Sequence, residues 1–210
     1  VVMLCSCDKN GNGMCSLAEV DGWIKDVLQD SFGANDDYLI IWKRFRPCYI
    51  RAFNDANDIA GEKGLKGSTT TTTDSYVTKA EFRLFCAYLC IYATMFEAFS
   101  MLDGKVPTGD DGDISDDDRR LTMEEFTSGW EKISGKFGFQ ALAHVADPDQ
   151  EGTPEDVFKV IDADGKGMVL LNEWCAWLEK GEIEAATDIG KALATGDVEI
   201  RDVAPIDRRP

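Results

Sequence analysis

The sequence has a single histidine, His144, which lies between Ala143 and Val145. No G-x-S-x-G turn, no strand followed by a glycine-rich loop and a helix, and no Cys/His constellation accompanies it. An isolated histidine of this kind is more often a helix-surface residue or a hydrogen-bonded core residue than a catalytic group. We therefore expect a protein that is not an enzyme.

Cysteine pairs with metal-binding spacing are also missing, since none of the seven cysteines forms a C-x-x-C motif. A zinc or redox centre is the less favoured interpretation, and reduced, mostly buried thiols in a cytosolic compartment are expected. No charged segment followed by an apolar one opens the sequence, so a signal peptide is not expected and a cytoplasmic location is.

Basic residues are few, because 22 lysines and arginines stand against 39 acidic residues, which gives a formal net charge of −17. This balance disfavours nucleic acid and anionic membrane surfaces as partners and favours cations or basic peptides. A hydrophobic fraction of 44% is typical of a folded chain with one domain or two small ones.

What is present is an acidic, glycine-containing stretch, Asp8–Glu19, with the sequence D-K-N-G-N-G-M-C-S-L-A-E. Oxygen-bearing residues stand at the positions that ligate calcium in an EF-hand loop, and Gly13 stands at the sharp turn. The alternative is a surface turn, but the apolar spacing after Glu19 favours a loop that opens a helix. The predicted ligands are Asp8, Asn10, Asn12, Met14 through its carbonyl, Ser16 and Glu19, the last of them bidentate.

A second stretch, D-A-D-G-K-G-M-V-L-L-N-E over residues 162–173, comes after a helix that Thr153 caps and Pro154 begins. Lys166, at the fifth position, is unable to ligate and adds a positive charge, while Leu170 at the ninth position has no side-chain oxygen. We expect calcium to bind here more weakly than at the first loop, with a water molecule as a ligand where the side chains supply no oxygen. The predicted site residues are Asp162, Asp164, Lys166, Met168 and Glu173.

Four segments repeat one pattern, namely M-C-S-L-A-E-V (14–20), Y-V-T-K-A-E-F (76–82), R-L-T-M-E-E-F (120–126) and M-V-L-L-N-E-W (168–174). EF-hands pair through a short antiparallel bridge at the eighth loop position, so four copies predict two paired lobes. The expected fold is all-α with four helix–loop–helix units. The expected domains are residues 1–97 and 98–180, each with two units, followed by a tail at 181–210.

The two middle copies depart from the calcium pattern. Counting back from Glu81 places Thr70 and Thr72 at ligand positions, and neutral hydroxyls do not replace carboxylates, so a mobile, metal-free loop is expected. Counting back from Glu125 places Asp116 and Asp118 correctly but Ile114 and Arg119 wrongly. Weak or absent binding is expected there, and a solvated acidic loop is the alternative.

Three further segments carry structural expectations. A helix over 36–58 is expected to break near Pro47, which would begin a new helix. The apolar run Leu84–Leu102 is long enough for a membrane span, but Glu97 within it and Arg83 before it favour a buried helix. The side of that helix that should face the first unit carries Phe82, Phe85, Cys86 and Leu89. The side that should face the fourth unit carries Phe96, Phe99 and Leu102.

The tail has apolar residues at helical spacing, which predicts a short amphipathic helix built on Ile183, Ala186, Ile189 and Leu193. Its apolar stripe would either fold back on a lobe or dock on a partner. The residues after this helix are expected to be extended and charged.

The run E-F-R-L-F-C-A-Y-L-C-I-Y-A-T-M-F-E-A-F-S-M-L-D (81–103) resembles the central segment of the calflagins, the flagellar calcium-binding proteins of kinetoplastids. R-A-F-N-D-A-N-D (51–58), V-F-K-V-I-D-A-D-G-K-G (157–167) and N-E-W-C-A-W (172–177) resemble the same family in the same order. The resemblance implies a two-lobed calcium sensor of the flagellum that attaches to membrane through N-terminal acyl chains. No N-terminal Met-Gly-Cys is present, so lipid anchoring does not transfer, and the third loop carries an insertion.

The favoured function is therefore a calcium sensor or calcium-modulated adaptor of a flagellum or cilium, in which Trp23, Trp174 and Trp177 lie near grooves that open on binding. The expected partner is a protein, such as a basic or amphipathic helix. Neither nucleic acid nor a transmembrane segment is expected, and peripheral membrane association is implied by the resemblance alone. The alternative function is a constitutive structural subunit of an axonemal or organellar assembly.

Overall fold

The structure is a computed structural model that describes residues 6–32, 37–63, 76–103, 120–133, 136–145 and 153–196. It is mostly helical with two short antiparallel strand pairs, which confirms the predicted all-α class at that level. In chain order the elements are β1 (Met14–Ser16), α1 (Leu17–Phe32), α2 (Asp37–Lys63), β2 (Tyr76–Thr78), α3 (Lys79–Leu102), β3 (Arg120–Thr122), α4 (Met123–Ile133), α5 (Gln140–Val145), α6 (Pro154–Ile161), β4 (Met168–Leu170), α7 (Leu171–Glu184) and α8 (Asp188–Thr195).

Each strand is three residues long and runs directly into a helix. β1 pairs with β2 so that Cys15 is opposite Val77, and β3 pairs with β4 so that Leu121 is opposite Val169. All four of these central side chains are fully buried. The residues on either side of each of them point to the opposite face, because side chains alternate along a strand. The predicted pairing of the four repeated segments at these positions is confirmed.

Helix α3 forms the centre of the core, and it packs against α2, α4 and α7. Its buried side chains lie on most of its circumference: Phe82, Leu84, Phe85, Tyr88, Tyr92, Met95, Ala98, Phe99 and Leu102. Among the described residues, Glu81–Leu102 is also long and apolar enough to cross a membrane, but a core helix passes the same test of length and composition. The buried side chains of α3 are those expected of a core helix.

The aromatic contacts of α3 agree with the expected division at Phe82 and Phe99 and depart from it at Phe85 and Phe96. Phe82 contacts Trp23 of α1 at 6.0 Å between ring centroids, and Phe99 contacts Trp174 of α7 at 6.4 Å. Phe96 was expected to face the fourth unit, but its ring contacts Phe45 of α2 at 6.4 Å. Phe85 was expected to face the first unit, but its ring contacts Phe53 of α2 at 6.4 Å. Phe96 lies about three helical turns after Phe85, so both rings lie on the face of α3 that packs against α2.

The expected break at Pro47 is wrong, because α2 is one helix of 27 residues with the proline inside it. An interior proline removes a backbone donor and costs roughly 3 kcal/mol. Cys48 and Tyr49 on one side of it and Arg44 on the other are buried, at 3%, 0% and 6% exposure. Burial of one large apolar side chain contributes roughly 1.5–3 kcal/mol, so the packing of Tyr49 and Cys48 after the proline offsets the lost bond.

Two predicted domain boundaries fall inside helices. Residues 97 and 98 both lie in α3, and residues 180 and 181 both lie in α7, which continues to Glu184. The predicted end of the second unit's first helix at Asp58 is likewise short, since α2 continues to Lys63.

The tail helix exists as α8 and folds back on the protein. Ile189 packs against the core and Leu193 is 8% exposed, whereas Ile183 is 44% exposed and Ala186 is exposed as well. The predicted stripe is therefore wrong at Ile183 and Ala186, because the chain turns between α7 and α8 and the two segments do not share one helical face. The backbone at Ala186 has a φ of 50°, a left-handed conformation that marks this turn.

Two buried polar side chains, Glu182 and Tyr88, hold the tail in place. Glu182 is 1% exposed, and its carboxylate accepts bonds from the Gln140 N–H of α5 and from the Thr187 hydroxyl that caps α8, both at 2.5 Å. On the other side of α8, the Tyr88 hydroxyl of α3 donates to the Ala192 carbonyl at 2.8 Å. Helix α8 is thus fixed to both α7 and α3.

A charged cluster, made of Arg51, Asp55, Tyr92 and Glu179, joins α2, α3 and α7. An Arg51 Nη2 atom lies 2.6 Å from Glu179 Oε1, and the guanidinium group sits 5.2 Å from the centre of the Tyr92 ring. The Tyr92 hydroxyl donates to Asp55. Burial raises the pKa of Glu179 despite the opposing charge of Arg51, and the cluster connects helices from both halves of the chain.

Some sequence-based expectations fall outside the described residues. These are the threonine-rich loop with Thr70 and Thr72, the acidic insertion with Asp116 and Asp118, the side chain of His144, and the residues after Gly196.

The central position of α3 predicts the cost of truncating its aromatic residues. Phe85→Ala or Phe99→Ala should each lower the free energy of unfolding by about 3–5 kcal/mol, because each ring is at most 2% exposed and its loss leaves a cavity. Phe32→Ala, at a ring that is 50% exposed, is the control and should change it by less than about 1 kcal/mol. Urea denaturation followed by circular dichroism measures all three variants, and equal effects would contradict the placement of α3.

Candidate metal centre

The first half of the loop Asp8–Glu19 is organised around the Asp8 carboxylate. This group accepts bonds from the backbone N–H of Asn12 at 3.1 Å and of Gly13 at 2.8 Å. The side-chain oxygens of Asn10 and Asn12 also accept loop amides, from Asn12 at 3.0 Å and Met14 at 2.9 Å. Gly13 has a φ of 83°, which a side chain would strain, so the predicted role of this glycine at the turn holds.

Glu19 closes the loop from the other end. Its Oε2 atom accepts bonds from the Ser16 N–H and hydroxyl, both at 2.9 Å, and its Oε1 atom accepts a bond from the Asn10 amide at 2.8 Å. The structure thus brings Asp8, Asn10, Asn12, Ser16 and Glu19 into one hydrogen-bonded loop. Met14, the remaining predicted ligand, begins β1 beside them.

The loop at 162–173 repeats this scheme with a different sequence. The Asp162 carboxylate accepts bonds from the backbone N–H of Lys166 at 3.1 Å and of Gly167 at 2.8 Å. Asp164 Oδ1 accepts the same Lys166 N–H at 3.1 Å, and Glu173 Oε2 accepts the Leu170 N–H at 2.9 Å. Gly167 has a φ of 78°, close to that of Gly13. Because these four backbone bonds occur at the same positions in the first loop, the two loops are one structural motif.

Among the described residues, one group of carboxylates has the spacing to hold a metal ion. Asp162, Asp164 and Glu173 each offer an oxygen, and these oxygens all lie within 4.8 Å of one another. In the first loop two carboxylates, Asp8 and Glu19, stand with the amide oxygens of Asn10 and Asn12. Both sets consist of oxygen donors without sulfur or imidazole, which fits a hard cation better than zinc.

The other two predicted site residues of this second loop, Lys166 and Met168, bring no side-chain oxygen to this group of carboxylates. The Lys166 ammonium binds Asp164 Oδ2 at 2.6 Å, and a protonated amine has no lone pair to offer a metal. Met168 begins β4 and is 39% exposed.

Hydrogen bonds shift the titration of these side chains. The bonds from the backbone and hydroxyl of Ser16 lower the pKa of Glu19 below its ordinary value of 4.5. The bond from Lys166 lowers the pKa of Asp164, and the same contact raises the pKa of Lys166. Glu19 and Asp164 are therefore ionised at neutral pH, which is the state that binds a cation.

The repeat pattern alone did not reveal a second role of the glutamate at the twelfth loop position of each repeat. The Thr78 N–H donates to Glu81 Oε2 at 2.7 Å, and the Thr122 N–H donates to Glu125 Oε2 at 2.9 Å. With Glu19 and Glu173, all four repeats therefore share a bond from the ninth position to the twelfth. It satisfies an amide that the first helical turn leaves without a partner, and the T-x-x-E spacing in the second and third repeats is the signal that indicates it.

No protein-family model matches this sequence, and a search of curated proteins finds no match. The resemblance to the calflagins therefore stays a prediction from the sequence runs that carry it.

The bonds around Glu19 predict a pH dependence. A carboxylate with a lowered pKa in the folded state stabilises the fold above its ordinary pKa, and this contribution is lost as pH falls through the lowered value. Ser16→Ala removes the hydroxyl bond and should raise the pKa of Glu19 toward 4.5, so that the loss begins at a higher pH. Carbon-detected NMR titration of the Glu19 carboxyl group checks this. An unchanged pKa in the variant would show that the hydroxyl bond does not set it.

Proposed function

We propose that this chain is a calcium-binding protein of the EF-hand type, with calcium sites at Asp8–Glu19 and at residues 162–173. The observation that carries the proposal is the common hydrogen-bond scheme of two loops whose side chains differ at several positions. In both loops the first aspartate accepts the fifth and sixth amides, and the twelfth-position glutamate accepts the ninth. A surface turn has no reason to repeat this scheme around oxygen donors at calcium-ligand spacing.

The ion at the first loop would be held by Asp8, Asn10, Asn12, Ser16, Glu19 and the Met14 carbonyl. At the second loop it would be held by Asp162, Asp164, Glu173 and the Met168 carbonyl, with a water at a free position. Calcium is the preferred ion because it takes many oxygen ligands in a flexible arrangement, whereas magnesium requires a smaller octahedral one.

Sensing is supported by the packing of Trp174, the residue directly after the closing glutamate of the second loop. Trp174 is fully buried, and its indole N–H donates to the Met95 carbonyl of α3 at 2.9 Å. Its ring contacts those of Phe99 and Phe126 at 6.4 and 6.5 Å. A movement of Glu173 toward an ion would therefore shift α7 against the core, and such a shift is how EF-hand sensors expose a groove.

The partner that suits this chain is a protein segment with basic or amphipathic helical character, because the chain carries a formal net charge of −17. A flagellar or ciliary location and peripheral attachment to a membrane rest on the resemblance to the calflagins alone. We propose a binding role and no catalytic one.

A constitutive structural subunit is the second candidate, and the charged cluster favours it. Arg51 and Glu179 tie α2 to α7, and α3 serves both halves, so the helices around the loops have many contacts to break before a groove opens. Binding of a dye that fluoresces on apolar surfaces separates the two roles. The dye signal should rise with calcium in a sensor and stay constant in a scaffold.

Calcium titration by calorimetry tests the proposal. The wild-type chain should bind two calcium ions, with the first loop the tighter site as predicted. Glu19→Gln should remove one site and Glu173→Gln the other, because each loses the charge of the bidentate carboxylate while it keeps the side-chain shape. Glu124→Gln, at an exposed residue next to a twelfth-position glutamate, is the matched control and should leave both sites intact.

Absence of calcium-dependent heat in the wild-type chain would contradict the proposal. Tight binding that survives in the Glu19→Gln, Glu173→Gln double variant would also contradict it, because the ion would then bind elsewhere.

A further inference from the structure

Each of the two loops carries one lysine, and the structure directs the two lysines differently. Lys9 turns away from its loop, and its ammonium binds Asp26 of α1 at 2.7 Å. Lys166 turns into its loop, and its ammonium binds Asp164 Oδ2 at 2.6 Å. Asp164 is one of the three carboxylates within 4.8 Å of one another, so the Lys166 charge lies at the cluster that would hold the ion.

The charges around Lys166 agree with this geometry. Its pKa is raised first by the bond to Asp164 and further by the charges of Glu173 and Asp162. All three carboxylates of the cluster thus act on one ammonium group. The Lys9 ammonium has its corresponding bond with Asp26, which is not a predicted ligand of the first loop.

We propose that Lys166 is a tethered competitor for the cation at residues 162–173 and that it sets the order in which the two loops fill. The inference rests on the proposed calcium site. Three carboxylates would otherwise make this loop the tighter one, because the first loop has only two and affinity rises with the number of charged ligands. With the ammonium on Asp164, a cation must displace it and then bind beside a positive charge. The loop consequently fills only at a higher calcium concentration, and the chain responds over two concentration ranges.

A simpler explanation of weak binding is that Lys166 merely fails to supply an oxygen at the fifth position. The two explanations differ for a side chain that has neither charge nor oxygen. Lys166→Met removes the charge and keeps an unbranched stem, whereas Lys166→Asn removes the charge and adds a ligand oxygen. Lys166→Arg keeps the charge. Lys166 has a side chain 77% exposed, so none of these changes disturbs the core.

The experiment measures calcium binding by calorimetry in the Glu19→Gln background, where the signal comes from the second loop. Lys166→Met should tighten binding by about tenfold, the order expected when a unit charge a few ångströms from a divalent ion is removed in water. Lys166→Asn should tighten it further, and Lys166→Arg should leave it weak. Lys9→Met, in a chain with Glu19 intact, is the matched control and should change the first loop by no more than about twofold, because its charge is already held by Asp26.

The results separate this inference from the function beneath it. Unchanged affinity in Lys166→Met with a gain in Lys166→Asn would overturn the competitor and leave the calcium site standing. An equal gain from Lys9→Met would also overturn it, since a general charge effect would then explain the result. No binding to the second loop in any variant would overturn the inference together with the proposed site.

Discussion

The bond between each repeat's ninth-position amide and its twelfth-position glutamate is the interaction on which the local structure depends. It occurs at Glu19, Glu81, Glu125 and Glu173, at distances between 2.7 and 2.9 Å. The bond fixes the point where a strand ends and a helix begins, so the buried residue one place before the amide faces its strand partner. In the two loops with oxygen donors the same carboxylate also faces the loop interior. One side chain therefore sets the helix start and would also supply the last ligand of each proposed calcium site, whereas in the second and third repeats it has the capping role.

Helix α3 and the charged cluster join the two strand pairs into one structure. The strand pairs do not contact each other through a common sheet, since β1 pairs only with β2 and β3 only with β4 among the described residues. Their helices meet through α3, and Arg51 with Glu179 adds a half-buried ion pair between α2 and α7. Removal of one partner from such a pair strongly destabilises the fold, because the other partner is left as an unpaired, desolvated charge.

The elements that the sequence predicts well are those with a local cause. Cys15, Val77, Leu121 and Val169 occupy the same place in a repeated pattern, and the structure pairs them as expected. Thr153 was expected to cap α6, and its hydroxyl accepts the Asp156 N–H at 3.3 Å. The bonds of the two loops arise likewise from residue types at fixed spacing, because turns and caps are formed within a few residues.

The elements that the sequence does not predict depend on distant contacts. Pro47 is a local signal for a break, and only the burial of Tyr49 and its neighbours overrides it. Arg51 and Glu179 are too far apart in the chain for any spacing to pair them, and the buried Glu182 looks in sequence like one more surface acid. The direction of Lys166 also needed the structure, since Lys9 and Lys166 are both simply lysines inside acidic loops.

The most direct measurement monitors two backbone amides in isotope-labelled protein while calcium is added. The Gly13 N–H donates to Asp8 and the Gly167 N–H donates to Asp162, so each reports on the first carboxylate of one loop. The account predicts that both amide signals shift and saturate, Gly13 at a lower calcium concentration than Gly167, and that amides remote from the loops respond less. Signals of Gly13 and Gly167 that stay fixed while calcium is raised would contradict it.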